Sequence, residues 1–232
     1  MKAIVSLYAL HAAAVCAAVK DVRHYLNGTM IEPGPGGSGA IVVGCDGHRL
    51  VAIHDTAGHC DAPLILPPLS RKLTECRRIV ATDGRDPDSV TLDWDPSGSL
   101  STTVTYADGL TAIAARIDGR FIDWRIVVPA SPDYAVPLQR EKPAPAWSAF
   151  NPAYLGAFGQ VAAILRGRNK SAAEMIALEF HSPENSARVR IVAPDRYHAV
   201  GVVMPLRAMD YLISESLEWL ARDPAPAVAA AS

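Results

Sequence analysis

One unit recurs along this chain: a helix-forming stretch followed by a set of short strands. The helical stretches are predicted at residues 7–20, 68–80 and 152–165. The first is rich in Ala. The second carries Leu69, Leu73, Cys76, Ile79 and Val80 as an apolar stripe at helical spacing. The third opens on Asn151 with Pro152 next, a good N-cap and first-turn pair. Strands are expected at 25–32, 39–45 and 50–54, then in "SVTLDWD", "LSTTVTYAD" and "LTAIAARID", and finally in "MIALEFHS", "ARVRIVAPD" and "HAVGVVMP". Each set contains an acidic turn leading into a small-then-branched pair: Asp46 before Ala52-Ile53, Asp108 before Ala112-Ile113, and Asp195 before Ala199-Val200. Such self-similarity constrains the chain to stacked modules that build continuous sheets.

The division between modules is also legible. Residues 129–147, "PASPDYAVPLQREKPAPAW", hold five prolines and no helical period, so a connector separates two parts. After Arg207, Met209, Leu212, Ile213, Leu217 and Leu220 share one helical face, and Pro224 ends it. That extra helix is read as additional packing, with masking of a neighbouring surface or a subunit contact as the alternatives; "DPAPAVAAAS" is a loose tail.

Half of the 232 residues are hydrophobic and a fifth are charged, which is globular composition with enough chain for a real core. The N-terminal run has the outline of a signal peptide. It has one early positive charge, however, is interrupted by Tyr8 and His11, and continues into structured chain, so it is assigned to the fold. The cysteines, Cys16, Cys45, Cys60 and Cys76, form no CxxC pair, which fits a reducing, cytoplasmic compartment. No run is long and apolar enough to span a membrane.

Evidence for bond chemistry is thin. There is no GxSxG, P-loop or GxGxxG, and "GPGGSG" precedes a strand, where it cannot present a helix N-terminus to phosphate. The acidic pairs Asp86/Asp88 and Asp93/Asp95 read as solvated turns and edges. His48, His54, His59, Cys60 and Asp61 crowd together but not at metal-ligand spacing. No catalytic residue, metal or cofactor is assigned. A metal-dependent enzyme centred on His48, His54 and His59 is retained only as an alternative.

Net charge is −2, so no overall basic signature points to nucleic acid. Cations nevertheless gather around the predicted helices: Lys20 and Arg23 after the first, Arg71, Lys72, Arg77 and Arg78 on the second, Arg166, Arg168 and Lys170 after the third. Interaction with helix C-terminal dipoles accounts for the first and third sets. It does not account for Arg71 and Lys72, which sit in a first turn. A positive lining of this kind is what sequence-independent contact with a phosphate backbone requires.

Several segments, in order, resemble the bacterial DNA polymerase III beta subunit, the replicative sliding clamp. "VRHYLNG" is similar to a strand following the first helix of that family's middle domain, and "DGHRL" to its hallmark turn. "SRKLTEC" resembles the basic start of the next helix, "DGRFIDWRIVVP" the approach to the interdomain connector, and "VVMPLR" the family's C-terminal motif. The resemblance implies an α+β DNA-clamp fold with three helix-plus-antiparallel-strand modules. Residues 1–130 would be a two-module domain like the family's middle one. Residues 131–147 would be the connector, 148–207 a one-module partial domain, and 208–232 the helix and tail. The family has six modules per chain; a twelve-module ring would need four chains like this one.

The resemblance also implies a function: a non-catalytic processivity factor that holds duplex DNA and tethers polymerases or clamp loaders by short peptides. The implied peptide groove comprises Leu26, Cys45, Gly47, His48, Arg49, Leu50, Ile122, Val127, Val202, Val203, Met204, Pro205, Leu206 and Arg207. Family members often have Thr at the Cys45 position and Pro at the Ile122 position. The alternative within this class is an adaptor or decoy that keeps the groove but does not encircle DNA.

Overall fold

The computed structural model describes residues 1–82, 84–129, 149–169, 171, 174–180 and 186–206. The first module runs β1 (Lys2–Ser6), α1 (Leu7–Ala14), β2 (Thr29–Pro33), β3 (Ala40–Cys45), β4 (Arg49–Asp55), β5 (His59–Cys60) and β6 (Leu64–Leu66). The second is α2 (Leu73–Cys76), β7 (Ser89–Trp94), β8 (Ser101–Tyr106) and β9 (Thr111–Ala115), followed by α3 (Trp124–Val127). The third is α4 (Pro152–Leu165), β10 (Met175–Glu179), β11 (Ala187–Val192) and β12 (Tyr197–Val203). These strands form two antiparallel sheets, ordered β5-β1-β7-β8-β9 and β10-β11-β12-β4-β3-β2-β6. The architecture is the expected α+β one.

The seven-stranded sheet crosses the module boundary. β12 pairs along the whole of β4, from Tyr197 opposite Asp55 to Val203 opposite Arg49, so the third module continues the sheet of the first. Beneath this seam α1 packs on α4. Gly44 and Gly201 permit the close approach. A Cβ on Gly44 would lie 1.9 Å from the Ala13 carbonyl oxygen, and one on Gly201 would lie 2.4 Å from the Phe158 ring.

Both faces of this sheet are covered, which explains why β3 is buried at every position. Val42, Val51 and Ile53 point into the core shared with α1, α4 and the five-stranded sheet. Ile41, Val43, Cys45, Leu50, Ala52 and Val202 point the other way, into a second core closed by Ile117, Phe121, Ile122 and Trp124. Alternation along each strand thus serves two apolar surfaces.

Four local expectations change. The segment Lys2–Ser6 is a central strand, and Ser6 then caps α1, its hydroxyl accepting from the amides of Tyr8 and Ala9. The first helix stops at Ala14 instead of residue 20; its end is pressed against Gly44, and the Ala18 amide bonds the Leu26 carbonyl. The strand expected at 25–32 begins at Thr29, after a 3-10 turn at His24–Leu26.

The helix expected at 68–80 is a single turn, Leu73–Cys76. The Pro67-Pro68 pair opposes helix before it. Beyond it, the Arg168 guanidinium donates to the Cys76 and Ile79 carbonyls, supplying partners to the backbone beyond the single turn. By contrast α4 spans the predicted residues, with the Asn151 side chain accepting from the Ala153 amide. The connector at 131–147 and the helix after Arg207 lie outside the described residues.

Candidate functional site

The second core surfaces where the β3–β4 turn, α3 and the end of β12 meet, leaving a cavity of about 600 Å³. The turn comes first. Gly47 holds φ +92°, a left-handed conformation that favours glycine. Asp46 organises the residues around it: one carboxylate oxygen accepts the amides of His48 (2.8 Å) and Arg49 (2.9 Å), and the other accepts Arg49 Nε (3.0 Å). Arg23, held by Asp21, donates to the Asp46 carbonyl at 3.2 Å. The acidic residue that opens this repeat is therefore a turn-former.

The third module fastens to the same turn. The Met204 amide donates to the His48 carbonyl (2.9 Å), and Leu206 forms a bridge with Ala149. Tyr154 of α4 stacks on the His48 ring, with centroids 5.8 Å apart and planes 15° from parallel; the Arg49 guanidinium lies 5.1 Å from its centroid. This contact makes His48 and Arg49 a fixed polar lip.

Cys45, Leu50, Val202 and Ile122 line the cavity from the second core. Its outer wall is apolar and exposed: Ile126 at 78%, Met204 at 50% and Val127 at 45% of full accessibility. Pro129 and Ser186 complete the lining. Burial pushes the Cys45 thiol up, outweighing the Gly47 amide bonded to its sulfur, so this cysteine is an apolar wall group. Cys16 and Cys60 are likewise pushed up, to about 12 and about 11, mainly by burial.

Of the groove residues implied by the sequence, Cys45, Gly47, His48, Arg49, Leu50, Ile122, Val127, Val202 and Met204 line the cavity. Leu26 and Val203 are buried behind the surface, while Pro205 and Leu206 continue past Met204; Arg207 lies outside the described residues. Sequence reading did not find Ile126, Pro129, Ser186 or Tyr154. The apolar "WRIVVP" run signalled the first two, but no pattern places Ser186 or Tyr154 across the connector from the turn.

The cations divide into two groups. Arg71 makes a two-pronged pair with Asp108 (3.1 and 2.8 Å) over the Tyr106 ring; Arg168 pairs with Asp88 (3.0 Å), Arg166 with Glu174, and Arg23 with Asp21. Lys20, Lys72, Arg77 and Arg78 carry no ion pair among the described residues, and they are exposed. Lys170 lies outside these residues. The helices themselves offer little charge: α1 is almost wholly buried, and the exposed positions of α4 are Pro152, Ala153, Gly156, Gly159 and Gln160.

The histidines go separate ways. His48 stacks on Tyr154, His54 meets the Ser38 carbonyl at 3.0 Å, and His59 meets Asp61 at 2.8 Å. Among the described residues no group of three or more His, Cys, Asp or Glu is placed to hold a metal ion. Asp86 stays exposed, its side chain 43% accessible, and from that edge it bonds the Ser89 hydroxyl and the Arg196 guanidinium, which reaches inward to buried Asp55.

Two antiparallel sheets over a helix pair, seamed at β4–β12, define the sliding-clamp fold. The chain is similar to the DNA polymerase III beta subunit of Pseudomonas aeruginosa, with TM-score 0.60, 20% identity, 90% of this chain and 66% of that one covered. A ligand-bound DNA polymerase sliding clamp from the same organism matches with TM-score 0.58 and 21% identity, over 87% of this chain and 63% of that one. The Thermotoga maritima beta subunit matches with TM-score 0.57 and 15% identity, over 90% and 66%. The chain thus spans just under two thirds of the length of these clamps. No protein-family model and no curated protein matches it.

Proposed function

We propose that this chain is a non-catalytic, clamp-fold tethering protein. Its groove takes a short apolar peptide from a polymerase, clamp loader or repair factor, while its exposed cations contact duplex DNA without regard to sequence. The observation carrying this reading is the groove: exposed Met204, Ile126 and Val127 face a lip of His48 and Arg49 fixed by Asp46 and Tyr154. An apolar trough with a flexible methionine and a few oriented polar groups suits peptides that share apolar anchors but differ in sequence. Lys72, Arg77 and Arg78 supply the phosphate-directed charge.

Binding of a polymerase-derived peptide, together with retention on circular but not linear DNA, tests both halves. A ring slides off linear ends, whereas a simple phosphate binder does not distinguish the two.

A second reading, the non-encircling adaptor, is favoured by one observation: Arg71, Arg166 and Arg168 are already committed to carboxylates. It predicts peptide binding with no discrimination between circular and linear DNA.

A further inference from the structure

The loop "GPGGSG", residues 34–39 between β2 and β3, does more than turn the chain. It wraps one edge of the His54 ring. A Cβ on Gly39 would lie 2.6 Å from His54 Nε2 and 3.1 Å from its Cδ2, and one on Gly34 would lie 2.9 Å from Nε2. The two glycines thus leave the imidazole its room. Nε2 also sits 3.0 Å from the Ser38 carbonyl oxygen. A carbonyl only accepts, so Nε2 carries the proton, and Nδ1 keeps its lone pair in the neutral ring. Nδ1 is the vertex opposite the Cδ2–Nε2 edge, so it faces away from Gly39.

β3, which follows the loop, flanks β4 on one side, and β12 flanks it on the other. On β12, His198 stands directly opposite His54 in the seam. The two ring centres are 5.9 Å apart, with planes 33° from parallel. His198 is exposed, and no hydrogen bond occupies its ring nitrogens among the described residues. A metal ion bonded at about 2 Å to one nitrogen of each ring holds the ring centres about 4.5 to 6.5 Å apart. The observed spacing falls inside that range. A backbone carbonyl on the far nitrogen of a ligand histidine is the usual means of fixing its tautomer and orientation.

We propose that His54 and His198 form a two-imidazole site for a divalent ion of the Zn²⁺, Ni²⁺ or Cu²⁺ type, the ions that imidazole nitrogen suits. Water fills the remaining coordination positions. The site needs two side chains only, so it is compatible with the absence of any group of three metal-binding residues among the described ones. Its ligands come from β4 and β12, and a bound ion therefore staples the first module to the third. The site depends on neither the groove reading nor the DNA reading.

Equilibrium dialysis of the full chain against Ni²⁺, beside thermal unfolding with and without the ion, tests it. The parent should bind one equivalent and melt at a higher temperature when Ni²⁺ is present. His54→Asn and His198→Asn should each lose at least about tenfold in affinity, because a chelate needs both rings. Each should also lose the Ni²⁺-dependent rise in melting temperature. His59→Asn, at the exposed His59–Asp61 pair, should behave as the parent. Without the ion, His198→Asn should melt with the parent; it decides the matter alone if His54→Asn, which also loses the Ser38 contact, does not fold. The proposal fails if the parent binds no Ni²⁺ or gains no thermal stability from it. It fails equally if His198→Asn keeps the parent's affinity, or if His59→Asn loses it. None of these readouts involves peptide or DNA.

Discussion

Asp55 and Arg196, 141 positions apart, form the ion pair that locks the three modules together. Asp55 is fully buried; Arg196 Nε reaches one of its carboxylate oxygens at 2.8 Å, and the Ser6 amide reaches the other at 2.7 Å. The same guanidinium bonds Asp86 and the Ser89 hydroxyl from the second module, while Tyr197 beside it shares a 2.7 Å hydrogen bond with Ser6. Burial opposes the Arg196 charge, but Asp55 and Asp86 outweigh it and raise its pKa. The pair sits at the Tyr197–Asp55 end of the β4–β12 seam, at the opposite end from the groove. It therefore aligns the two strands whose far ends carry His48 and Met204.

Removing one partner of such a pair strands the other charge in the core. Arg196→Met is expected to lower unfolding stability by about 3 kcal/mol. Asp55→Asn with Arg196→Met should recover part of that loss. Urea denaturation of the parent and the two variants measures it.

The helix–sheet contact at Gly44 permits no side chain. Gly44→Ala drives a Cβ into the Ala13 carbonyl, a backbone atom that cannot rotate away. A loss of roughly 3 kcal/mol is expected from overpacking. Gly36→Ala, in open space though at positive φ, should cost only about 1 kcal/mol. Thermal melts of both separate steric exclusion from conformational preference.

Asp108 should contribute to the acid sensitivity of the fold. Its carboxylate is hydrogen-bonded by Arg71, which holds its pKa below the usual 3.8. A depressed carboxylate contributes stability above its unfolded pKa, and the contribution is lost as pH falls through the lower, folded value. Asp108→Asn should therefore flatten the stability profile below about pH 4. Denaturant midpoints between neutral pH and pH 2 show the change.

The cations should separate by partner. Replacing Lys72, Arg77 and Arg78 with Gln is expected to weaken DNA retention and reduce its salt dependence, with little change in stability. Arg71→Gln or Arg168→Gln should instead reduce stability, because each breaks a partly buried contact with Asp108 or Asp88. Filter binding across a salt series, beside thermal melts, distinguishes the two sets.

What the sequence made legible follows from the range of the signals. Asn151-Pro152 and the apolar run after them fix α4, because capping and periodicity act within a few residues. The turn at Asp46–Arg49 was visible for the same reason. β1 was not, since "KAIVS" merges with an alanine-rich helix and carries no turn residue between strand and cap. The short α2 escaped because its apolar stripe is genuine, while the guanidinium bonding the carbonyls beyond it comes from Arg168, remote in sequence. The groove's near wall lay in local motifs; its Tyr154 support depends on a helix reached only through the β4–β12 seam.

The central claim is that the cavity beside His48 holds a short apolar peptide. Fluorescence anisotropy with a labelled C-terminal peptide of a bacterial replicative polymerase tests it most directly, comparing the parent with Met204→Glu, whose side chain is half exposed in the cavity wall. The account predicts saturable binding by the parent and at least a tenfold loss, about 1.4 kcal/mol, in the variant. Absence of saturable binding by the parent, or equal affinity in both proteins, would contradict it.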